Sequence, residues 1–273
     1  MTPTPITGHG AFSGKPGTLT LQPGAGLQWR DAGGDTLSAL VAHVSSDHAW
    51  TGLPPSVPIR NTTLRSSRRV YATIEHVMGA LAGLGVWNAG MILEGPEVPI
   101  LDGSARAFAQ AARALPKGAP EPLVLREPVE VRAGEASIRA TPLAPGEPLE
   151  YTYQLDYGPA SPLPAQQASW RGDPHDFEAT IAPARTFSLR REAEMAQSLG
   201  LFRHLSPEDL VVVGDDGTPI RNAWRFEHEP ARHKLLDLIG DLALLGRPLH
   251  ARVVATRSGH ALTHEFCRRV LGL

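Results

Sequence analysis

The sequence predicts an α+β fold in two similar halves, each a mostly antiparallel sheet carrying about two helices. Three observations point there. Short runs that alternate apolar and polar residues, the period of a half-buried strand, recur through both halves. Each half also holds about two stretches whose apolar residues return at helical spacing. Pro116-Lys117-Gly118-Ala119-Pro120-Glu121-Pro122 separates a helix from a fresh set of strands and has the composition of a linker. The chain is therefore divided into 1–118 and 119–273, two related domains that meet at an interface although they share no trusted sequence identity.

In the first half, residues 6–60 read as strands and turns. Residues 18–21 alternate as a strand, 37–44 read as another, and the proline-flanked 54–58 read as a loop. Gly8-His9-Gly10-Ala11-Phe12-Ser13-Gly14-Lys15 is a glycine-rich loop without the spacing of either common nucleotide-binding glycine motif. Asn61-Thr62-Thr63-Leu64 reads as a strand end. Thr73-Ile74-Glu75-His76 opens a helix, with Thr73 as N-cap and Val77, Ala80, Leu81 and Leu84 as its apolar stripe. Gly83 and Gly85 close it. Residues 88–94 form a strand, 95–104 a structured turn in which Asp102 and Ser104 fix the bend at Gly103, and 105–115 an alanine-rich helix.

In the second half, 129–131, 136–140, 149–157 and 177–181 read as strands. Ala184-Arg185-Thr186-Phe187 leads into a helix at 190–199, and a strand at 210–213 ends in the tight turn Asp215-Asp216-Gly217. A helix built on His233, a strand at 250–256 and a helix at 261–271 complete the chain.

Composition bounds the function. The 273 residues suffice for a substantial core, and 42% hydrophobic with 20% charged residues is globular. A net charge of −2 and a pI near 6.6 leave no global basic footprint for nucleic acid. Cys267 is the only cysteine, so no intramolecular disulfide and no cysteine-rich zinc site can form, and its place in the last helix suits packing. The opening Met1-Thr2-Pro3-Thr4-Pro5 lacks the pattern of a secretory signal, and no run of about 18 apolar residues exists, so the expected location is the cytoplasm.

The chemistry centres on His233-Lys234-Leu235-Leu236-Asp237-Leu238-Ile239-Gly240-Asp241. His233, Asp237 and Asp241 fall at i, i+4 and i+8, one face of a helix. For this stretch alone, a metal site and a solvated polar face are equally good readings. Glu75-His76 in the first half and His260, just before the last helix, supply partners. His76, His233 and Asp237 together would hold a tetrahedral zinc and leave one position for water. Glu75 would then be a base and His260 an acid, the inventory of a metal-assisted amide or ester hydrolase.

Taken together, six segments resemble one family. They are Gly8 through Lys15; Thr73-Ile74-Glu75-His76 continuing to Ala80-Leu81-Ala82-Gly83-Leu84-Gly85; Gly95-Pro96-Glu97-Val98-Pro99-Ile100-Leu101-Asp102-Gly103-Ser104-Ala105; Ala184-Arg185-Thr186-Phe187; Arg225-Phe226-Glu227 leading into Arg232 and the His233 stretch; and Ser258-Gly259-His260-Ala261-Leu262. In this order they resemble the zinc-dependent UDP-3-O-acyl-N-acetylglucosamine deacetylases of lipid A (lipopolysaccharide) biosynthesis.

The resemblance implies two α+β domains with helices sandwiched between two sheets. It implies zinc on His76, His233 and Asp237, Glu75 as general base and His260 as general acid oriented by Asp241. It also implies Thr186 at the developing oxyanion, Lys234 near the reacting centre and Phe187 against the substrate. An insert near 188–212 would shape an acyl-chain passage, with Leu199, Leu201, Phe202 and Leu205 as its walls. The implied partner is a UDP-linked acylated amino sugar, with transient membrane-surface contact through the acyl chain and a monomeric enzyme.

Two departures stand out: Phe12 occupies a position where the family usually has histidine, and Phe202-Arg203-His204-Leu205-Ser206-Pro207-Glu208-Asp209-Leu210 replaces the family's usual glycine-containing stretch. Two alternatives follow, a paralogue acting on a different amino sugar and a non-catalytic zinc-binding paralogue. Phe187 fits core packing nearly as well as substrate contact. Arg65, Arg68 and Arg69 read as a solvated face. His9, His43, His48, His175, His204, His228, His250 and His264 read as surface or structural residues.

Overall fold

The computed structural model describes residues 4–31, 33–47, 60–208 and 210–273; the loop expected at 54–58 lies outside them. The first half contains β1 (Ile6–His9), β2 (Pro16–Pro23), β3 (Leu27–Arg30), β4 (Thr36–Ser38), the hairpin β5 (Thr63–Arg65) and β6 (Val70–Ala72), α1 (Glu75–Gly83), β7 (Ala89–Glu94) and α2 (Arg106–Ala112). The second contains β8 (Leu123–Val124), β9 (Val129–Ala133), β10 (Ala136–Thr141), β11 (Glu150–Leu155), β12 (Gln166–Trp170), α3 (Pro174–Asp176), β13 (Phe187–Leu189), α4 (Arg190–Ser198), β14 (Val211–Val213), α5 (Glu229–Leu242), β15 (Leu249–His250), β16 (Arg252–Thr256) and α6 (His260–Leu271).

The two main sheets run β1-β2-β7-β3-β4 and β12-β11-β16-β10-β9. Taken in chain order they share one topology. In each, the first two strands form an antiparallel pair, as do the third and fourth. The last strand enters between them, antiparallel to the second and parallel to the third. A parallel neighbour requires a crossover, and α1 and α5 lie in those crossovers, α1 just before β7 and α5 ahead of the short β15 and then β16. The repeat predicted from the order of elements is thus carried by topology rather than by residue identity. α5 packs on β11 and β12, α6 on β9 and β10, and α1 against both α5 and α2, whereas α4 packs on β13 and β14; one buried cluster joins both halves, with Trp29, Tyr71, Phe108, Phe177 and Phe266 among its largest fully buried side chains.

Three local expectations are corrected. Residues 37–44 do not continue as a strand: β4 pairs with β3 only from Thr36 to Ser38 at the sheet edge, and the chain then turns through a 3-10 segment, Val41–His43. Residues 177–181 are helical, not extended. Asp173 caps α3 by accepting the His175 N–H, and α3 runs on into a wider turn closed by Ala182 N donating to Phe177 O at 2.8 Å. Phe177 and Ile181, read as strand residues, are buried at i, i+4 on that turn. Thr73 does not cap α1. Its φ is +59°, a region that a β-branched residue rarely enters, and its hydroxyl donates to Glu97 Oε1 at 2.8 Å while accepting from Asn61 Nδ2 at 2.8 Å. Glu97, fully buried, also accepts the Phe12 and Ser13 N–H groups and so ties the glycine-rich loop to the residue that precedes α1 by two positions.

Candidate active site

The site forms where α1 crosses α5, and two glycines set the distance. A Cβ on Gly79 would meet the Leu236 carbonyl oxygen at 3.0 Å, and one on Gly240 would come within 2.9 Å of the Glu75 carbonyl carbon. This close approach brings His76 of α1 onto His233 and Asp237 of α5. Asp237 Oδ1 lies 3.6 Å from His76 Nε2 and 3.5 Å from His233 Nε2. All three residues are buried, and their candidate ligand atoms lie within 4.8 Å of one another.

The donor set fits a cation on its own chemistry. Asp237 Oδ1 is buried and has no hydrogen-bond donor, an arrangement that is costly unless something positive completes it. The other oxygen, Oδ2, is held at 2.6 Å by Lys234 Nζ. His233 Nδ1 donates to Ala184 O at 3.1 Å, which leaves the Nε2 lone pair facing Asp237, the orientation usual for a ligating imidazole. Burial pushes His233 down to about 4, so the ring stays neutral at ordinary pH. Burial would raise the Asp237 pKa, but the Lys234 ammonium, followed by the surrounding imidazoles, holds the carboxyl well below the usual carboxylate range. Two imidazole nitrogens and one carboxylate oxygen form a donor set that suits a divalent cation such as zinc.

Glu75 sits beside this cluster at 4% exposure. Its Oε2 accepts the Thr62 N–H at 3.0 Å, and burial raises its pKa against the pull of the His260 and His76 charges. Behind the cluster, His260 Nδ1 donates to Asp241 Oδ2 at 2.7 Å. Burial opposes charge on His260, yet Asp241 overcomes it and the pKa is pushed up to about 9. Asp241 is likewise held below the carboxylate range: burial works against it, and the His260 and His264 charges prevail.

Thr62 and His264 also belong to this network, and the sequence reading missed both. Thr62 Oγ1 donates to Asp241 Oδ1 at 2.5 Å and lies 3.0 Å from His264 Nε2. His264 had a usable signal, its i+4 spacing from His260 on the last helix. Thr62 had none.

A cavity of about 500 Å³ opens onto the cluster. Glu75, His76, His233, Lys234, Asp237 and His260 line its floor, and Thr186 and Phe187 form a wall. Leu199, Leu201, Phe202 and Leu205 line its apolar extension, so of the residues singled out in the sequence only Asp241 stands behind the surface. Phe187 is held by the parallel pairing of β13 with β14, its ring 6.5 Å from that of His233. Phe12 packs against Phe202 with ring centroids 5.1 Å apart and the rings tilted by 55°, and His204 Nε2 reaches Gly10 O at 3.0 Å. The two positions that depart from the family pattern therefore meet each other. Arg65, Arg68 and Arg69 stay outside the cavity lining, paired with Asp47, Asp35 and the carbonyls of Leu93 and Gly95.

Thr186 and Ala184 are positioned by a buried ion pair one residue from each. Arg185 forks onto Glu229, Nε to Oε1 at 2.8 Å and Nη2 to Oε2 at 2.9 Å, and the two carboxylate oxygens also accept the Arg185 and Arg225 N–H groups. Glu229→Ala leaves the guanidinium buried without its partner. It is expected to lower unfolding stability by about 3–5 kcal/mol, read as a lower denaturation midpoint.

Known proteins resemble this chain along nearly its whole length. A family model described as UDP-3-O-acyl N-acetylglycosamine deacetylase matches residues 2–272. Among curated relatives, the UDP-3-O-acyl-N-acetylglucosamine deacetylase of Anaeromyxobacter sp. (strain Fw109-5) is 38% identical, covering 97% of this chain and 85% of that protein. Proteins of the same name from Chlamydia felis and Thermosynechococcus vestitus are each 36% identical over 97% of this chain, and cover 93% and 90% of their own lengths.

Proposed function

Because this chain belongs to the family of UDP-3-O-acyl N-acetylglycosamine deacetylases, we propose that it hydrolyses the acetamide of UDP-3-O-acyl-N-acetylglucosamine at the crossing of α1 and α5. The products are acetate and the free 2-amino sugar, a step of lipid A biosynthesis. The observation that carries the site assignment is the donorless Asp237 Oδ1, buried between two imidazole nitrogens.

His76, His233 and Asp237 would hold zinc, which when bound would supply Lewis-acid chemistry, lowering the pKa of water toward about 7 and polarising the amide carbonyl. Glu75 takes the proton of the attacking water through its carboxylate, whose Oε2 is fixed by Thr62 N–H. Thr186 and Lys234, both in the cavity lining, would donate to the negative charge growing on the carbonyl oxygen, where aimed donors act most strongly. His260 then gives the proton on Nε2 to the amine nitrogen as the C–N bond breaks. Its charge is maintained by Asp241 on the opposite ring nitrogen, and an amine leaves poorly without that proton. Phe187 packs against the sugar, and Leu199 and Phe202 guide the acyl chain along the apolar part of the cavity.

The halves 1–118 and 119–273 act as the two domains, supported by their shared strand order. No helix among the described residues is long and apolar enough to cross a membrane. We assign membrane contact to the substrate's acyl chain and take the enzyme as a cytoplasmic monomer, the location that a lipid A pathway enzyme of this family supports.

The test is acetate release from acylated and non-acylated UDP-N-acetylglucosamine by metal-free and zinc-reconstituted protein. Activity should rise with zinc up to one ion per chain and strongly favour the acylated sugar. The metal-free protein should keep its circular dichroism and melt at a lower temperature, because a ligand that binds only the native state adds stability by mass action. Undiminished acetate release after metal removal would overturn the assignment, and equal rates on the two sugars would remove the acyl passage.

A further inference from the structure

We propose that Thr62 is a positioning residue that couples the general base to the general acid. The proposal rests on the reading of Glu75 and His260 as that pair. Thr62 is fully buried. It reaches three helices from the segment that leads into β5. Its backbone N–H donates to Glu75 Oε2 at 3.0 Å. Its hydroxyl donates to Asp241 Oδ1 at 2.5 Å, the short length of a charge-assisted bond. The same oxygen accepts from His264 Nε2 at 3.0 Å, and it lies 3.2 Å from His260 Nδ1.

These bonds fix one hydrogen arrangement. A hydroxyl has one proton to give and two lone pairs to receive with. The Thr62 proton goes to Asp241, so His264 must present N–H at Nε2. Asp241 then receives Thr62 on Oδ1 and His260 Nδ1–H on Oδ2. The carboxylate is clamped on both oxygens, and the His260 ring is held with Nε2 turned toward the cavity floor, 3.9 Å from Asp237 Oδ2. One residue thus places the carboxylate that receives a proton and, through Asp241, the imidazole that gives one. Ile74 N donating to Thr62 O at 3.2 Å fastens this residue to the start of α1.

The backbone and side-chain arms can be separated. Thr62→Val keeps the shape and the N–H to Glu75 and removes only the hydroxyl, while Thr62→Ser keeps both. Outer-layer partners of catalytic and ligating groups typically contribute about 10- to 100-fold. Thr62→Val should therefore lose about 10- to 100-fold in kcat with KM and zinc content unchanged, and Thr62→Ser should restore most of it. In ¹⁵N-histidine spectra of the metal-free proteins, the His260 Nδ1–H and His264 Nε2–H signals should move in Thr62→Val and return in Thr62→Ser. This readout does not depend on turnover. Thr62→Ala serves the same purpose if the valine protein does not fold.

Unmoved imidazole signals in the hydroxyl-free variant would overturn the proposal. So would a kcat within twofold of wild type, or a loss that Thr62→Ser shares in proportion to its melting temperature. A Glu75→Gln control that keeps full activity would instead place the failure in the acid–base assignment.

Discussion

Glu75→Gln is expected to lower kcat for acetate release by about 10²–10⁴-fold while the protein still binds one zinc, because a positioned general base contributes on that scale. The substitution is nearly isosteric, and glutamine keeps an oxygen that can accept the Thr62 N–H now bound to Oε2. What it cannot do is take a proton. Glu75 lies outside the three-residue donor set, so metal content should not change, and KM should change little because the carboxylate is expected to act on the attacking water rather than on the sugar's distant groups. Steady-state kinetics beside a metal determination of the same preparation checks both halves of this expectation. His76→Ala and Asp237→Ala provide the contrast, since both should lose zinc and activity together. If Glu75→Gln retained half of the wild-type kcat, the proton would have to leave by another group.

The donor set was legible because helical periodicity is a local rule. His233 and Asp237 stand one turn apart whatever the rest of the chain does, and Glu75-His76 at a helix start offered the complementary candidate ligand and candidate base. Thr62 was not legible for the opposite reason. It touches Asp241 across 179 positions of sequence and Glu75 across 13, and no period relates those separations. Only the β5–β6 hairpin, which folds Thr62 back against the start of α1, brings them together. Phe177 and Ile181 show the limit of a short apolar pattern, since four-residue spacing serves a strand and a helical turn alike, and Asp173 with Pro174 decided for the turn. Thr73 has the residue type of a cap, but Glu97 took its hydroxyl.

Gly240→Ala should damage fold and site together. In an exposed helix interior this exchange favours alanine by about 0.5–1 kcal/mol. Here the new Cβ would land on the carbonyl oxygen of Glu75, 2.9 Å from its carbonyl carbon and 3.1 Å from Gly79 N. These are backbone atoms, so no side chain can swing away and the two helices must part. Overpacking a tight core contributes about 1–3 kcal/mol of destabilisation, and a backbone clash belongs at the upper end, enough to outweigh the gain in propensity. The melting temperature should fall by several degrees, since 1 kcal/mol shifts it by roughly 2–4 °C in domains approaching this size. The functional loss should be larger than the thermal one. His76 rides on α1 and His233 with Asp237 on α5, so any separation of the helices stretches the donor set directly, and a misplacement of about 1 Å can reduce turnover about 10²-fold. Zinc should be released more easily and kcat should fall by about that factor even where the protein remains folded. Gly118→Ala is the matched control, because a Cβ there meets nothing nearer than Asn88 Nδ2 at 3.9 Å. A Gly240→Ala protein that melts with wild type and keeps its zinc would mean that the helices do not cross this closely.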